Sequence, residues 1–405
     1  MDGIARTLGF AESLLHRFYA DLDGGLITVV MARVTELPSP EALATAVRSV
    51  CGRHPMLRCR IIEKEDGSFF FSENAVEVFP VLREAAKDAS SFFEELLQEP
   101  FQSGYPLWEI ALTRISHSSH IFLKIHHALA DGTAARSLLC EILRIAGGEP
   151  PGPSLGLRPS VEELVAGGRQ TFAEPLPVPA NSLPWKFAAT ASIKERLCRV
   201  CLMELDCEAL RVRAHRDQLT INSLLMAALA KAAAELPGFP SEAALILPVS
   251  VRHRIEPAVP DEEMGCLIGN ALVYWEDGSS SDIGKVASAL GEQLWQALGA
   301  AITGPEKFEP STVEAAIAPF RDPAQSSFGY PLALSNLGKG DNPPSCVEAL
   351  WFGASVCPGH LGVLTAASTV GDKLCLAFHY AEPLVEGESV GMFAESVRRL
   401  LIPIS

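Results

Sequence analysis

The chain is 405 residues long, 48% hydrophobic and 20% charged, with a formal net charge of −16. That composition excludes a disordered or fibrous protein, which would lack apolar material for a core or carry a repetitive bias. The acidic balance argues against nucleic acid and anionic membrane as partners, and the length leads us to expect two packed domains.

No run of about 18 apolar residues occurs. The opening Met1, Asp2 and Gly3 lack the basic and apolar regions of a signal peptide. A cytoplasmic protein with no integral membrane segment is therefore expected. Ten cysteines run from Cys51 to Cys375, mostly inside apolar segments, where they read as small core residues. Cys198 and Cys201 form a C-x-x-C, but no second pair follows at metal spacing, so neither a redox nor a zinc role is expected.

In chain order, GLITVVMARV (25–34) reads as a strand from its β-branched content. A helix should follow, capped by Ser39, opened by Pro40, and apolar at Leu43, Ala46, Val47 and Val50. LRCRIIEKEDGSFFFSE reads as a hairpin turning at Asp66 and Gly67. LWEIALTRI and HIFLKIHH form another strand pair joined by the turn Ser116 to Ser119, and His117 and His120 read as unremarkable turn histidines. A helix then shows an apolar face at Ala135, Leu138, Leu139, Ile142, Leu143 and Ala146, stopped by Gly147 and Gly148.

Eight prolines fall between Pro150 and Pro184 and interrupt any long regular element. They divide the chain into an N-terminal half at residues 1–150, a crossover at 151–190 and a C-terminal half at 191–405. In that second half TINSLLMAALAKAAAEL reads as a buried helix. AALILPVSV and GCLIGNALVYW read as strands, the latter including Gly265 and Gly269. HLGVLTAASTVGDKLCLAFHY reads as a hairpin turning at Gly371 and Asp372, before a terminal helix through Phe393 and Leu400. Both halves are mixed α/β.

The chemistry concentrates in FLKIHHALADGTAARSLL (122–139). Neighbouring strand residues face opposite ways, so His126 and His127 cannot readily share a metal ion; one should face packing and the other an opening. No third ligand lies nearby at usual spacing, and no metal is expected. A single imidazole suffices for acid–base work at cellular pH, although such a pair is more often purely structural. Asp131 has two readings: it caps the helix starting near Gly132, or it pairs with a buried arginine. Gly132 suits a tight strand-to-helix turn.

His126, His127, Asp131 and Gly132 together form H-H-x-x-x-D-G, which resembles the signature of the thioester-dependent acyltransferase superfamily. That superfamily includes chloramphenicol acetyltransferase, plant alcohol acyltransferases, nonribosomal condensation domains and mycobacterial polyketide-associated acyltransferases. SPEALATAVRSVCGRHPMLRCRI, PLWEIAL, LPVSVRHR, LSNLG and the closing hairpin resemble its other segments in the expected order, over nearly the whole chain. The resemblance implies two chloramphenicol-acetyltransferase-like α/β sandwich halves with the active channel between them. It implies His127 as general base, His126 as structural, and Asp131, beside Gly132, turned from the substrate toward Arg252 of the other half.

The implied reaction is direct transfer of an acyl group from coenzyme A or a carrier protein's phosphopantetheine to a small-molecule alcohol. No covalent acyl-enzyme forms, and no cofactor beyond the thioester co-substrate is called for. Ser335 and Asn336 are candidate oxyanion donors, with a plain Asn-Gly turn as the alternative. Arg211, Arg213 and Arg254 are candidate partners of coenzyme A phosphates. The plant-type D-F-G-W-G is absent, and ARTLGFAESLLHRF resembles free-standing O-acyltransferases more than condensation domains. Amide formation and a silent binding relative remain the rival readings. The fourteen residues after the G-x-S-x-G at Gly387–Gly391 include neither His nor Asp, so the context of a serine hydrolase is not met.

Overall fold

The computed structural model describes residues 3–73, 82–85, 87–102, 106–115, 118–167, 183–276, 282–298, 307–340 and 342–402. Its strands are β1 (Gly3–Thr7), β2 (Ile27–Val34), β3 (Cys59–Glu63), β4 (Phe69–Glu73), β5 (Leu82–Ala85), β6 (Trp108–Ile115), β7 (Ser118–His126), β8 (Leu197–Asp206), β9 (Glu242–Ser250), β10 (Ile268–Glu276), β11 (Tyr330–Lys339), β12 (Val347–Ala354), β13 (Leu361–Val370) and β14 (Lys373–Glu382). The helices are α1 (Phe10–Asp21), α2 (Pro40–Arg53), α3 (Ala89–Gln98), α4 (Gly132–Ala146), α5 (Val161–Gly167), α6 (Cys207–Arg216), α7 (Ile221–Ala233), α8 (Ile283–Leu298), α9 (Pro310–Arg321) and α10 (Gly387–Leu401). None is long and apolar enough to cross a membrane.

Local chemistry accounts for the elements that hold the site. Ser39 accepts from the Ala42 amide at 3.2 Å and starts α2. Gly67 adopts φ +80° at the β3–β4 turn, a conformation that glycine reaches without a Cβ penalty. In α4 the inward residues Ala135, Leu138, Leu139, Ile142 and Leu143 are all buried. Each such Leu or Ile contributes roughly 1.5–3 kcal/mol from removal of apolar surface. Ala146, expected on that face, is only half-buried at the helix end.

Two large sheets form the body. One has the order β12-β2-β7-β6-β5 and the other β10-β9-β11-β13-β14-β8, while β1, β4 and β3 make a small third sheet. Helix α3 lies between the two large sheets, touching β2 on one side and β8 on the other. β12 belongs to the second half in chain order but pairs antiparallel with β2, from Val347 opposite Val34 to Ala354 opposite Thr28. The first large sheet is thus completed by a strand from beyond residue 190. The chain then returns to the second sheet as β13, parallel to β11.

Three local differences from the sequence reading have physical causes. The strand expected from Gly265 starts at Ile268, because Gly265 takes φ +142° and leaves strand geometry. The crossover contains the short helix α5, and its residues 168–182 lie outside the described residues. His120, expected in a turn, belongs to β7 and pairs with Arg33 and Thr113, whereas Ser116 and His117 lie outside the described residues.

Candidate active site

A cavity of about 800 Å³ lies between the two large sheets, lined by His127, Asp131 and Gly132 from the first half and by Ser250, Asn270 and Ser335 from the second. The β7-to-α4 turn delivers the first group, and β9, β10 and β11 deliver the others. Both halves therefore contribute to one space.

The two motif histidines part at the end of β7. His126 is 1% exposed, and its ring packs against Tyr19 at 4.6 Å between centroids. Its Nδ1 accepts from the Ala128 amide at 3.1 Å, so this nitrogen carries no proton. The proton sits on Nε2, which faces His16 Nδ1 at 3.2 Å. Burial first, then His16 and His127, hold the His126 pKa well below 6.5. This ring is a neutral strut.

His127 instead lines the cavity and is only half-buried. Desolvation lowers its pKa from 6.5, while hydrogen bonding to the backbone of His127 itself and of Ala130, and the charge of Asp131, act the other way. The net effect is a neutral imidazole at cellular pH, with a lone pair available to take a proton.

Asp131 satisfies both of its sequence readings with different oxygens. Oδ1 accepts from the Ala134 amide at 2.8 Å and caps α4. Oδ2 accepts from Arg252 Nη2 at 2.9 Å and from the Leu267 amide at 2.9 Å. Arg252 is fully buried and also donates to the carbonyls of Pro260, Glu263 and Gly265, at 3.0, 2.9 and 3.2 Å. The Gly265 carbonyl accepts the Asp131 amide at 3.1 Å as well. The ion pair thus ties the turn that carries His127 to the segment before β10. Gly132 sits against the opposite wall: a Cβ there would meet Leu337 Cδ2 at 3.0 Å and Phe352 Cε2 at 3.2 Å.

The condensation-domain family model matches residues 24–152, and the model described as phthiocerol/phthiodiolone dimycocerosyl transferase C-terminus matches residues 192–345. The chain resembles condensation-type acyltransferases over both of its halves. Polyketide synthase associated protein 5 from Mycobacterium tuberculosis superposes with a TM-score of 0.68 at 19% identity, covering 99% of this chain and 98% of that one. The condensation domain of the Monacolin K polyketide synthase MokA gives 0.69 at 12% identity, covering 98% and 96%. At those identities the two structures establish the fold. HC-toxin synthetase from Cochliobolus carbonum is 31% identical over 115 residues, 27% of this chain and 2% of that protein. The chain spans 2% to 3% of the length of the curated relatives it matches.

The other candidate residues fall in different places. Ser335 and Asn336 both border the cavity from within β11. Asn336 Nδ2 donates to Asn222 Oδ1 at 3.0 Å and its Oδ1 accepts from the Gly338 amide at 2.8 Å, at the register shift within β11 between Asn336 and Lys339, so the turn expected at this place is part of the strand. The three arginines considered for coenzyme A phosphates are not among the cavity residues. Arg211 pairs with Glu208 at 3.2 Å, Arg213 donates to the Leu401 carbonyl at 2.8 Å, and Arg254 donates to the Leu298 carbonyl. Arg136, His253 and Lys339 are the basic residues that line it instead. Arg136, one turn into α4 on the motif's own helix, was the findable one: it shares the side of α4 that carries Gly132.

Cys198 forms its hydrogen bond with Cys357, across the fold, and not with Cys201 of its C-x-x-C.

Proposed function

We propose that this protein transfers an acyl group from a coenzyme A or carrier-protein thioester directly to a hydroxyl, with His127 as general base. The observation that carries this reading is the His127 imidazole at the wall of a cavity lined from both halves, where desolvation lowers its pKa from the ordinary value. His127 takes the hydroxyl proton as the alcohol oxygen attacks the thioester carbonyl. The C–S bond of the resulting tetrahedral oxyanion then breaks, and the departing thiolate takes the proton back from the His127 imidazolium. The products are an ester and a free thiol.

Ser335 and Asn336 are proposed to donate hydrogen bonds to the oxyanion, a contribution worth about 3–4 kcal/mol per donor in comparable sites. Asp131 and Arg252 keep the His127 turn in place without touching substrate. Arg136 and Lys339 offer positive charge at the cavity for the phosphate groups of coenzyme A or of phosphopantetheine. The thioester enters as substrate, and cytoplasmic acyl-coenzyme A or an acyl carrier protein would supply it. Amide formation is the second reading, favoured by the condensation-domain match over residues 24–152.

The purified chain is incubated with acyl-coenzyme A and acyl-carrier donors against parallel sets of alcohols and amines, with products read by mass spectrometry. Ester with one equivalent of free thiol is the expected outcome. Amide from the amine set alone would replace the hydroxyl reading, and silence across both donors and both acceptor sets would overturn acyl transfer.

A further inference from the structure

The cavity changes character along its length, and the reaction above uses only one end and the middle. β11 lies along it, with Leu337 and Lys339 lining one end and Tyr330, opposite Leu361 of β13, lining the other. The ten residues of β11, Tyr330–Lys339, span roughly 30 Å at about 3.3 Å per residue. A volume of about 800 Å³ drawn out along that strand is narrow. Arg136 donates to the Leu337 carbonyl at 2.9 Å and lies 3.6 Å from Asp261, which His253 approaches at 3.7 Å. The charged side chains therefore gather at the Lys339 end.

The opposite end is apolar. Phe18 and Phe320 pack at 5.2 Å between ring centroids, and Leu14, Leu26 and Phe320 surround a small cluster of Phe18, Leu22 and Ile317 that is separate from the main core. Leu14, Phe18, Leu26 and Phe320 all line the cavity, as does Ala316, one turn before Phe320 on the same face of α9. His127 stands between the two ends. Gly132 of its motif lies against Leu337, and on the other side the charge of His127 reaches His360, whose ring packs 5.3 Å from Phe18. A charged group entering the apolar section would lose its hydration with nothing to replace it, whereas each buried methylene is favoured there. With the phosphate of a thioester at Arg136 and Lys339 and its carbonyl at His127, the acyl chain leaves the carbonyl carbon on the side away from sulfur and runs toward Phe18 and Phe320.

We propose that this section is a slot for the linear aliphatic chain of the acyl donor, and that Ala316 is the specificity-determining residue that leaves it open. This rests on the acyl-transfer reading of the cavity and names the kind of donor it takes. The narrow space suits a straight chain better than a ring. The methyl group of Ala316 is the smallest side chain in a wall otherwise made of Leu and Phe, and a larger one would project from α9 into the path of the chain.

Acyl-phosphopantetheines carry the arm that coenzyme A and carrier proteins share, so butanoyl- and octanoyl-phosphopantetheine are the probes, with butan-1-ol as acceptor. Each added methylene should raise kcat/KM about three- to fourfold, which makes the octanoyl donor about 10² better than the butanoyl donor. In Ala316→Phe that ratio should fall toward one. A ratio near one in the wild type, or one that Ala316→Phe leaves unchanged, overturns the proposal. Should Ala316→Phe not fold, Ala316→Leu fills less of the slot and should lower the ratio in part; an unchanged ratio there overturns the proposal equally. A second arm holds the donor at acetyl-phosphopantetheine and compares octan-1-ol with butan-1-ol. A chain preference that appears only in that arm gives the slot to the acceptor and overturns its assignment to the acyl chain. If no probe is turned over, the acyl-transfer reading fails for these substrates, and the melting temperature judges the slot separately. Octanoyl-phosphopantetheine should raise it more than butanoyl-phosphopantetheine does, and equal shifts overturn the proposal.

Discussion

At the scale of single residues, the site depends on a division of labour between groups of the same chemical type. His126 and His127 are adjacent, yet one is locked as a neutral strut by the Ala128 amide and the other faces the cavity. Asp131 uses one oxygen as a helix cap and the other for Arg252. Replacing Asp131 by Asn keeps a capping oxygen but leaves a fully buried guanidinium without its counter-charge. We expect a loss of about 3–5 kcal/mol in urea denaturation, together with a loss of activity. Adding Arg252→Met should recover part of that stability, because it removes the stranded charge; a double variant less stable than Asp131→Asn alone would contradict this account. The motif and the Asp131 alternatives were legible in the sequence, since helix caps and strand alternation are local. Arg252 was reached only through the family resemblance, because 121 residues separate the pair. His360 carried no signal, being one histidine in a loop whose proximity to His127 arises only when β12 and β13 are assembled.

At the scale of elements, β12 is the piece that local reasoning does not place. Its sequence VEALWFGA states that the strand is buried, but an apolar run does not say which sheet will bury it. Gly353 explains how it fits. A Cβ there would fall within the buried His379 ring of β14, whose Nε2 already meets the Phe352 carbonyl at 3.2 Å. Gly353→Ala should therefore destabilise the chain by about 1–3 kcal/mol through overpacking, read as a lower urea midpoint. A midpoint equal to wild type would show that β12 is not held as tightly as described. The hairpins, α2, α4 and α7 were readable from turn residues and apolar spacing alone. The start of β10 was not, because a glycine reads equally as strand interior or as the left-handed break that Gly265 makes.

At the scale of the whole molecule, burial of neutral histidines sets how the fold responds to acid. His16 and His379 are held down to about 4, and His360 to about 3, in each case chiefly by desolvation. In the unfolded chain these groups return to about 6.5. Between those values the unfolded chain binds more protons than the folded one, so stability is lost as pH falls from about 6.5 toward 4. Glu162, raised to about 7 by burial, acts oppositely, since its folded form takes up a proton first. Three histidines outweigh one glutamate, and the melting temperature should drop between pH 7 and pH 5; a rise over that interval would contradict this balance.

Catalysis draws on the same physics, and the pH dependence of kcat/KM, measured beside His127→Ala, tests the central claim most directly. Wild type should be flat above neutrality and fall only below pH 6.5, as the lowered pKa of His127 is crossed, while His127→Ala should lose about 10²–10⁴ in rate without losing its fold. An acid limb centred above 6.5, or an alanine variant as fast as wild type, would contradict His127 as the base.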